Sequence, residues 1–327
     1  MNSGFVDLQV NGYRGIDFSA PGLTLDAVRH VTRQLLGAGT VAYCPTLVTA
    51  DPAVYVANLP VLAQALREPD LGPHLLGIHM EGPFLAPAAR GAHPERWLRD
   101  PDGSLFARWQ ELAAGQIRIL TVAPELPGAE ALIRQAAAQG VLVSLGHHMA
   151  DEAAIAAAVQ AGARASTHLG NGIPGLLPRH PNPIWTQLAC DGLIGMFIAD
   201  GHHLPATFVR AALRAKTVDR FVVVSDAAAI AGLAPGEYDY MDARVTIEPS
   251  GRIVRKDGWS LAGSSATMLD CINWLGALGC LTEAQLWRVG RDNALQLLGA
   301  SMAESALRKA PTLRIRREGT RVAFAQS

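Results

Sequence analysis

Residues 75–84 read LLGIHMEGPF: an apolar run broken by one histidine, then a carboxylate, a glycine and a proline. Apolarity that does not alternate is what a strand of a parallel sheet needs when both of its faces are covered. The same pattern recurs in GLIGMFIA (192–199) and RFVVVSDA (220–227). Working outward from these stretches, eight strands are expected, at residues 4–10, 40–45, 75–80, 117–122, 141–145, 163–168, 193–198 and 221–225. Helix-like runs at 25–36, 52–66, 127–139, 151–160 and 205–215 fall between many of them. Thr24 and Asp51 are suited to cap the first two helices, the second ahead of a proline, and Gly140 and Gly162 to end the next two. DEAA at 151–154 places carboxylates at a helix N-terminus, where the dipole favours them. Strands alternating with helices define an α/β protein and predict a (β/α)8 barrel of the TIM type, with a doubly wound open sheet as the architectural rival.

Beyond residue 225 the pattern changes. Runs at 244–248 and 252–255 flank PSG as a hairpin would, helix-like segments follow at 266–278 and 283–298, and runs at 312–316 and 321–325 flank EG as a second hairpin. The expected division is a barrel over 1–300, with a β-hairpin insertion near 243–256, and a short C-terminal β appendage over 301–327.

The 327 residues suffice for one large core or two modest ones. Basic and acidic residues nearly cancel, 28 against 29, so there is no bulk positive field for a nucleic-acid backbone. No polybasic stretch points to a membrane surface, and no apolar run reaches the roughly 18 residues of a membrane span. The opening MNSGFVDLQVNG lacks a basic segment followed by an apolar one, so no signal peptide is expected. The four cysteines, Cys44, Cys190, Cys271 and Cys280, form no CxxC pair, which argues against a disulfide scaffold or a cysteine-rich zinc site. A cytoplasmic enzyme acting on a small molecule, without a nucleic-acid or membrane partner, is the class that remains.

Glu81, His147, His168 and Asp226 each stand at the C-terminal end of an expected strand, where barrel active sites form. Two imidazoles and a carboxylate suit zinc or another borderline divalent ion with a position left for water. Each alone has a plainer reading: a hydrogen-bonded strand-end histidine, a capping or ion-paired glutamate, an N-cap aspartate. Their recurrence at equivalent places favours a metal site. Glycine- and proline-rich segments surround them: RGAHP with His93, THLGNGIPG with His168 and Asn171, ADGHHL with His202 and His203. Such segments let backbone approach a ligand. LAGSSATM lacks GxxxxGK[ST], and GxGxxG and GxSxG are absent, so neither nucleotide binding nor a serine elbow is expected.

The chain resembles the N-acetylglucosamine-6-phosphate deacetylases of the amidohydrolase superfamily. The resemblance runs from GFVDLQVNG through HMEGPF, RGAHP, LGHH, THLGNG, IADGHHL, VVSDA and LAGSSATM to DNALQLLG, and His93 twelve residues after Glu81 is a specific part of it. It implies that Glu81, His147 and His168 hold one divalent metal, zinc first, with iron, manganese and cobalt open. Asp226 becomes the catalytic acid/base, and His93 the contact to the substrate carbonyl. Asn171, the Gly172 backbone, Arg179 and His203 would hold the phosphosugar, the last two reaching in from a neighbouring subunit of a homodimer. Gln9 and Asn11 stand where many amidohydrolases carry HxH, which matches the single-metal branch, since amides are poor ligands for a second zinc.

The departures lie at the substrate end. THLGNGIPGLLPRHPNP replaces a segment closer to THLFNAM followed by REPG, so Gly170 removes a bulky side chain, Gly172 replaces a small residue, and 180–183 is unlike the family. LGHH in place of LGHS sets His148 beside His147. The family's N-terminal β-segment and much of its C-terminal strand region have no counterpart, which reduces the appendage to hairpins. The expected reaction is metal-dependent hydrolysis of the acetamide of an N-acetylated amino sugar, N-acetylglucosamine 6-phosphate first, giving acetate and the amino sugar phosphate. The alternatives are a deacylase of an unphosphorylated amino sugar or other N-acyl compound, and a non-catalytic sugar-binding protein on a decayed barrel. The last requires loss of a ligand or of the acid/base, and neither loss is visible.

Overall fold

The computed structural model describes residues 4–256, 260–302 and 312–326; the expected appendage at 301–327 therefore falls partly outside the described residues, at 303–311 and 327. Eight strands form one sheet whose spatial order is their sequence order. They are β1 (Phe5–Val10), β2 (Thr40–Val48), β3 (Ile78–Glu81), β4 (Ile117–Val122), β5 (Leu142–Leu145), β6 (Ala165–Ser166), β7 (Ile194–Ile198) and β8 (Phe221–Val224). All neighbours are parallel. The last strand returns to the first: Val10 bridges Ala227, Asn11 N–H donates to Ala227 O at 2.9 Å, and Ser225 N–H donates to the Asp7 carboxylate at 3.2 Å. Sequential parallel order with this return makes a nearly closed barrel and excludes the doubly wound sheet.

A helix follows each strand: α1 (Leu25–Leu36), α2 (Pro52–Ala65), α3 (Gly103–Leu112), α4 (Ala129–Ala138), α5 (Glu152–Ala161), α6 (Pro183–Ala189), α7 (Ala206–Lys216) and α8 (Met268–Ala277). Thr24, Asp51 and Gly162 cap as expected and Gly140 follows the end of α4 with φ 75°, whereas Asp151, expected as the first helical residue, is the N-cap of α5. Thr24 accepts from Ala27 N–H, Asp51 from Ala53 N–H and Asp151 from Ala154 N–H, and Gly162 ends α5 with φ 124°. Along α1 the buried Val28, Val31 and Leu35 recur at helical spacing and face the barrel.

The structure adds α3 and α6 to the expected helices. Only Phe106 and Trp109 of α3 are buried, and α6 has seven residues, so neither shows a sustained 3.6-residue period. β6 is shorter than expected because the chain turns at His168, with φ 31°. The run 283–298 divides into Glu283–Trp287, a π-turn over Arg288–Asp292, and Asn293–Leu298. The turn contains Gly290, where a Cβ would lie 2.6 Å from Ile272 Cδ1.

The insertion has three strands, not two: β9 (Gly236–Tyr240), β10 (Ala243–Ile247) and β11 (Ile253–Arg255). The C-terminal hairpin, β12 (Leu313–Glu318) and β13 (Arg321–Gln326), packs on the barrel. Phe324 sits edge-on to Phe5 at 5.2 Å, and its backbone pairs with both ends of the Asn273 amide at 2.7 and 2.9 Å. LAGSS is neither a phosphate loop nor a nucleophile turn. Ser264 pairs through its backbone with Asp226 and Ala228, and α8 then opens with a Thr267–Asp270 capping box.

Candidate metal centre and active site

Glu81 ends β3, His147 follows β5, His168 follows β6 and Asp226 follows β8, so closure brings together at one mouth what the sequence separates. His147, His168 and Asp226 all have left-handed backbones, with φ of 51°, 31° and 51°. That conformation is uncommon and costly for residues other than glycine, and it clusters at functional sites where surrounding structure enforces it.

One carboxylate oxygen organises the centre. Glu81 Oε1 lies 2.8 Å from His168 Nε2 and 3.3 Å from His147 Nε2, and all three residues are buried. Burial pushes the Glu81 carboxyl up, but the His147 and His168 imidazoles outweigh it and hold the group well below the usual range. The ligand atoms of Glu81, His147 and His168 lie within 4.8 Å of one another, the one such metal-capable cluster among the described residues. The donor set fits a cation. His147 Nδ1 donates to Ala89 O at 2.9 Å, which fixes the tautomer and leaves Nε2 with a lone pair aimed at the common point.

Beneath this centre, on the same face of β3 as Glu81, His79 starts a buried polar chain. Its Nδ1 meets Leu8 O at 3.0 Å and its Nε2 meets Thr121 Oγ1 at 2.8 Å; Thr121, Thr167 and Ser144 then connect through their hydroxyls. The network fills the barrel under the ligands with satisfied hydrogen bonds, which fixes geometry.

Asp226 is held by two amides. Gln9 Nε2 and Asn11 Nδ2 both donate to its Oδ1, at 3.0 and 2.8 Å, leaving Oδ2 without an amide. Burial, then the nearby Glu81 charge, raises the Asp226 carboxyl to about 6. The residues in the HxH positions thus clamp a carboxylate. Their carbonyl oxygens, Gln9 Oε1 and Asn11 Oδ1, are buried without hydrogen-bond partners among the described residues.

His93 stands beside His147, with ring centroids 4.4 Å apart. Its Nδ1 accepts from Thr49 N–H at 3.3 Å and lies 2.9 Å from the Thr49 hydroxyl, so the ring proton belongs on Nε2. Burial, followed by the His147 ring, lowers His93 to about 3 and keeps it a neutral N–H donor.

These residues line a cavity of about 480 Å³ together with Asn171, Gly172 and His203. Asn171 Nδ2 donates to His168 O at 3.3 Å. A Cβ on Gly172 would lie 2.8 Å from His147 Nδ1, so its backbone approaches the ligands closely. His203 Nδ1 donates to the buried Asp200 carboxylate at 2.7 Å. Burial raises the Asp200 carboxyl, and the His203 hydrogen bond and charge outweigh this and hold it well below the usual range. His203 lines the cavity of its own chain. Arg179 is exposed outside this cavity.

Sequence reading missed Thr49, Asp200, Tyr240 and Met241. Thr49 is 44 residues from His93 and carries no motif. Asp200 lies in the quoted ADGHHL, where an aspartate three residues before a histidine was the available signal. Tyr240 and Met241 line the cavity from the unexpected strand β9 and its turn.

No known protein-family profile matches the chain. Among named relatives it is 32% identical over 300 residues to the N-acetylglucosamine-6-phosphate deacetylase of Bacillus subtilis, covering 90% of this chain and 74% of that protein. It is 34% identical over 306 residues to an N-acetylgalactosamine-6-phosphate deacetylase of Shewanella sp., covering 92% of this chain and 73% of that one. Among solved structures it matches an aspartate-to-alanine variant of N-acetyl-D-glucosamine-6-phosphate deacetylase from Mycobacterium smegmatis, in complex with N-acetyl-D-glucosamine-6-phosphate. That match has a TM-score of 0.84 at 29% identity and covers 92% of this chain and 78% of the other.

Proposed function

The chain belongs to the N-acetylglucosamine-6-phosphate deacetylase family, and from that premise we propose how its barrel mouth hydrolyses the acetamide of N-acetylglucosamine 6-phosphate to acetate and the amino sugar phosphate. The observation that carries this reading is the convergence of Glu81, His147 and His168, with Asp226 and His93, on one cavity. Glu81, His147 and His168 hold one divalent cation, zinc being the reading that the nitrogen-rich donor set favours over iron, manganese or cobalt. A cation there supplies Lewis-acid polarisation of the amide carbonyl and acidifies a water.

The chain's own groups do the rest. Asp226 takes a proton from the attacking water at Oδ2 while Gln9 and Asn11 hold Oδ1. The water oxygen adds to the carbonyl carbon, and His93 Nε2–H donates to the oxygen that gains charge. Asp226 then passes the proton to the sugar nitrogen as the C–N bond breaks, releasing acetate and the free amine. Asn171 and the Gly172 backbone position the sugar, and His203, held by Asp200, faces its phosphate. The exposed Arg179 is the fork-shaped phosphate donor that one subunit lends another. Leu176, 91% exposed, and Trp185, 55% exposed, flank it as apolar surface for a homodimer contact. Among the described residues no helix is long and apolar enough to cross a membrane.

Acetate release from phosphorylated and plain N-acetylglucosamine tests the reading, with the galactosamine epimers alongside. The phosphorylated glucosamine substrate is expected to exceed the plain sugar by tenfold or more in kcat/KM. Arg179→Ala is expected to raise KM for the phosphorylated substrate by about tenfold, the loss of one charge-assisted phosphate contact, and to spare the plain one. Equal turnover of both sugars, with no differential effect of the substitution, would favour the unphosphorylated alternative.

A further inference from the structure

The cavity has two walls that face each other across the barrel. Asn171 and Gly172 follow β6, and Val48 ends β2. In an eight-stranded barrel, strands two and six are diametrically opposed. The β6 side, continuing to His203 after β7, carries the polar Asn171 and His203 beside the apolar Ile173, Leu177 and Ile184. The β2 side is apolar: Val48, Ala92 and Met241, with Tyr240 behind.

Met241 reaches this wall by an unusual route. It is the first central residue of the two-residue turn joining β9 to β10, and it and Asp242 have φ of 50° and 58°. Such turns favour asparagine, aspartate or glycine, because other side chains bear a steric cost there. A long apolar side chain in that place is explained by what it covers. The turn is located by an ion pair of 2.7 Å between Asp242 and Arg96, three residues beyond His93. Val48 and Met241 also border the neighbouring recess with Thr49 and Trp97, so hairpin tip, β2 and the His93 loop form one surface.

The substrate's chemistry then sets a direction, an argument that rests on the function proposed above. In a pyranose, C2 bears the acylamino group and C5 bears the phosphorylated carbon, and these atoms lie opposite each other across the ring. With the phosphate on the His203 side and the carbonyl at the metal centre beside His93, the acyl chain points to the β2 wall. We propose that Met241, with Val48 and Ala92, closes the acyl pocket and limits the enzyme to short acyl groups.

The test is kcat/KM of the metal-loaded enzyme for N-acetyl-, N-propionyl- and N-butyrylglucosamine 6-phosphate. The wild type is expected to prefer acetyl to propionyl by about tenfold or more, the discrimination one methylene provides in an apolar pocket. Met241→Ala should narrow that preference by threefold or more. Met241→Leu, of similar volume, should keep it. Met241→Gly, which relieves the left-handed backbone, guards against loss of the hairpin fold. An acyl preference shifted by less than threefold in both Met241→Ala and Met241→Gly, including an equal loss on all substrates, overturns the inference while leaving the deacetylase reading intact. A wild type that releases no acyl group from any of the three overturns both.

Discussion

Asp226 combines features that a structural aspartate does not need. Its backbone is left-handed, its carboxyl is raised to about 6 by burial first, and two amides converge on one oxygen. Replacing it with asparagine keeps the size and an Oδ1 acceptor for Gln9 and Asn11 but removes the proton carrier. Asp226→Asn is expected to lower kcat on the order of 10³-fold, within the range of general acid–base contributions, while metal content per subunit stays at the wild-type level. Metal lost in parallel with activity would make Asp226 a ligand, and wild-type turnover would remove it from the chemistry. Glu81, His147, His168 and Asp226 were legible in the sequence because each stands at the C-terminal end of a strand-like run, where the mouth forms. The partners that tune them were not. Thr49 sets the His93 tautomer through a contact between the connections after two neighbouring strands, which no motif marks, and nothing in the sequence around Gln9 says that its amide turns to a carboxylate 217 residues away.

At the scale of the element, most strands were readable and the connections less so. A parallel strand announces itself by unbroken apolarity, as β8 does in FVVV. α3 buries two side chains and α6 lasts two turns, so both lie below what periodicity detects. β9 reads GEYDY and has only Tyr240 fully inside, so its pairing with β10 leaves little trace in composition. The β6–α6 connection shows how a departure from the family pattern is accommodated. Gly170, where the resemblance leads one to expect a bulky side chain, has φ 99°, and a Cβ there would lie 2.8 Å from Phe208 Cζ and 2.9 Å from Leu204 Cδ2. Phe208 and Leu204, at α7, occupy the space beside the glycine. Gly170→Phe is therefore expected to cost about 2–4 kcal/mol from overpacking and backbone strain. Adding Phe208→Ala should return part of that loss, a coupling measurable by urea unfolding of both single variants and the double. Strictly additive losses would show that Phe208 does not fill the vacated volume.

For the whole molecule, the barrel is completed where its last strand meets its first. Here the join depends on few backbone contacts, and Asp7 reinforces it: its carboxylate accepts from Ser225 N–H and from the Ser225 hydroxyl, and also from Gln9 N–H. Burial raises this carboxyl from 3.8 to about 7, against the lowering effect of those hydrogen bonds and with a smaller contribution from the Asp226 charge. The consequence for stability has a definite sign. Below about pH 3 the group is protonated in both folded and unfolded chains and exerts no pH effect. As pH rises from about 4 to about 7 the unfolded chain releases its proton first, so folding loses free energy through that window and the loss levels off above it. Between pH 5 and 8 the change from this residue amounts to roughly 2–3 kcal/mol. Asp17, raised to about 6 by burial, adds a slope of the same sign that is common to wild type and variant. Asp7→Asn, which retains an acceptor for Ser225 and carries no titratable proton, should flatten the pH dependence of the urea midpoint by that amount relative to wild type. It should make the protein comparatively more stable at pH 8 than at pH 5. Parallel pH profiles for the two proteins would mean that the carboxyl is ionised in the folded barrel throughout, and that the join is held by a charge and not by a buried acid.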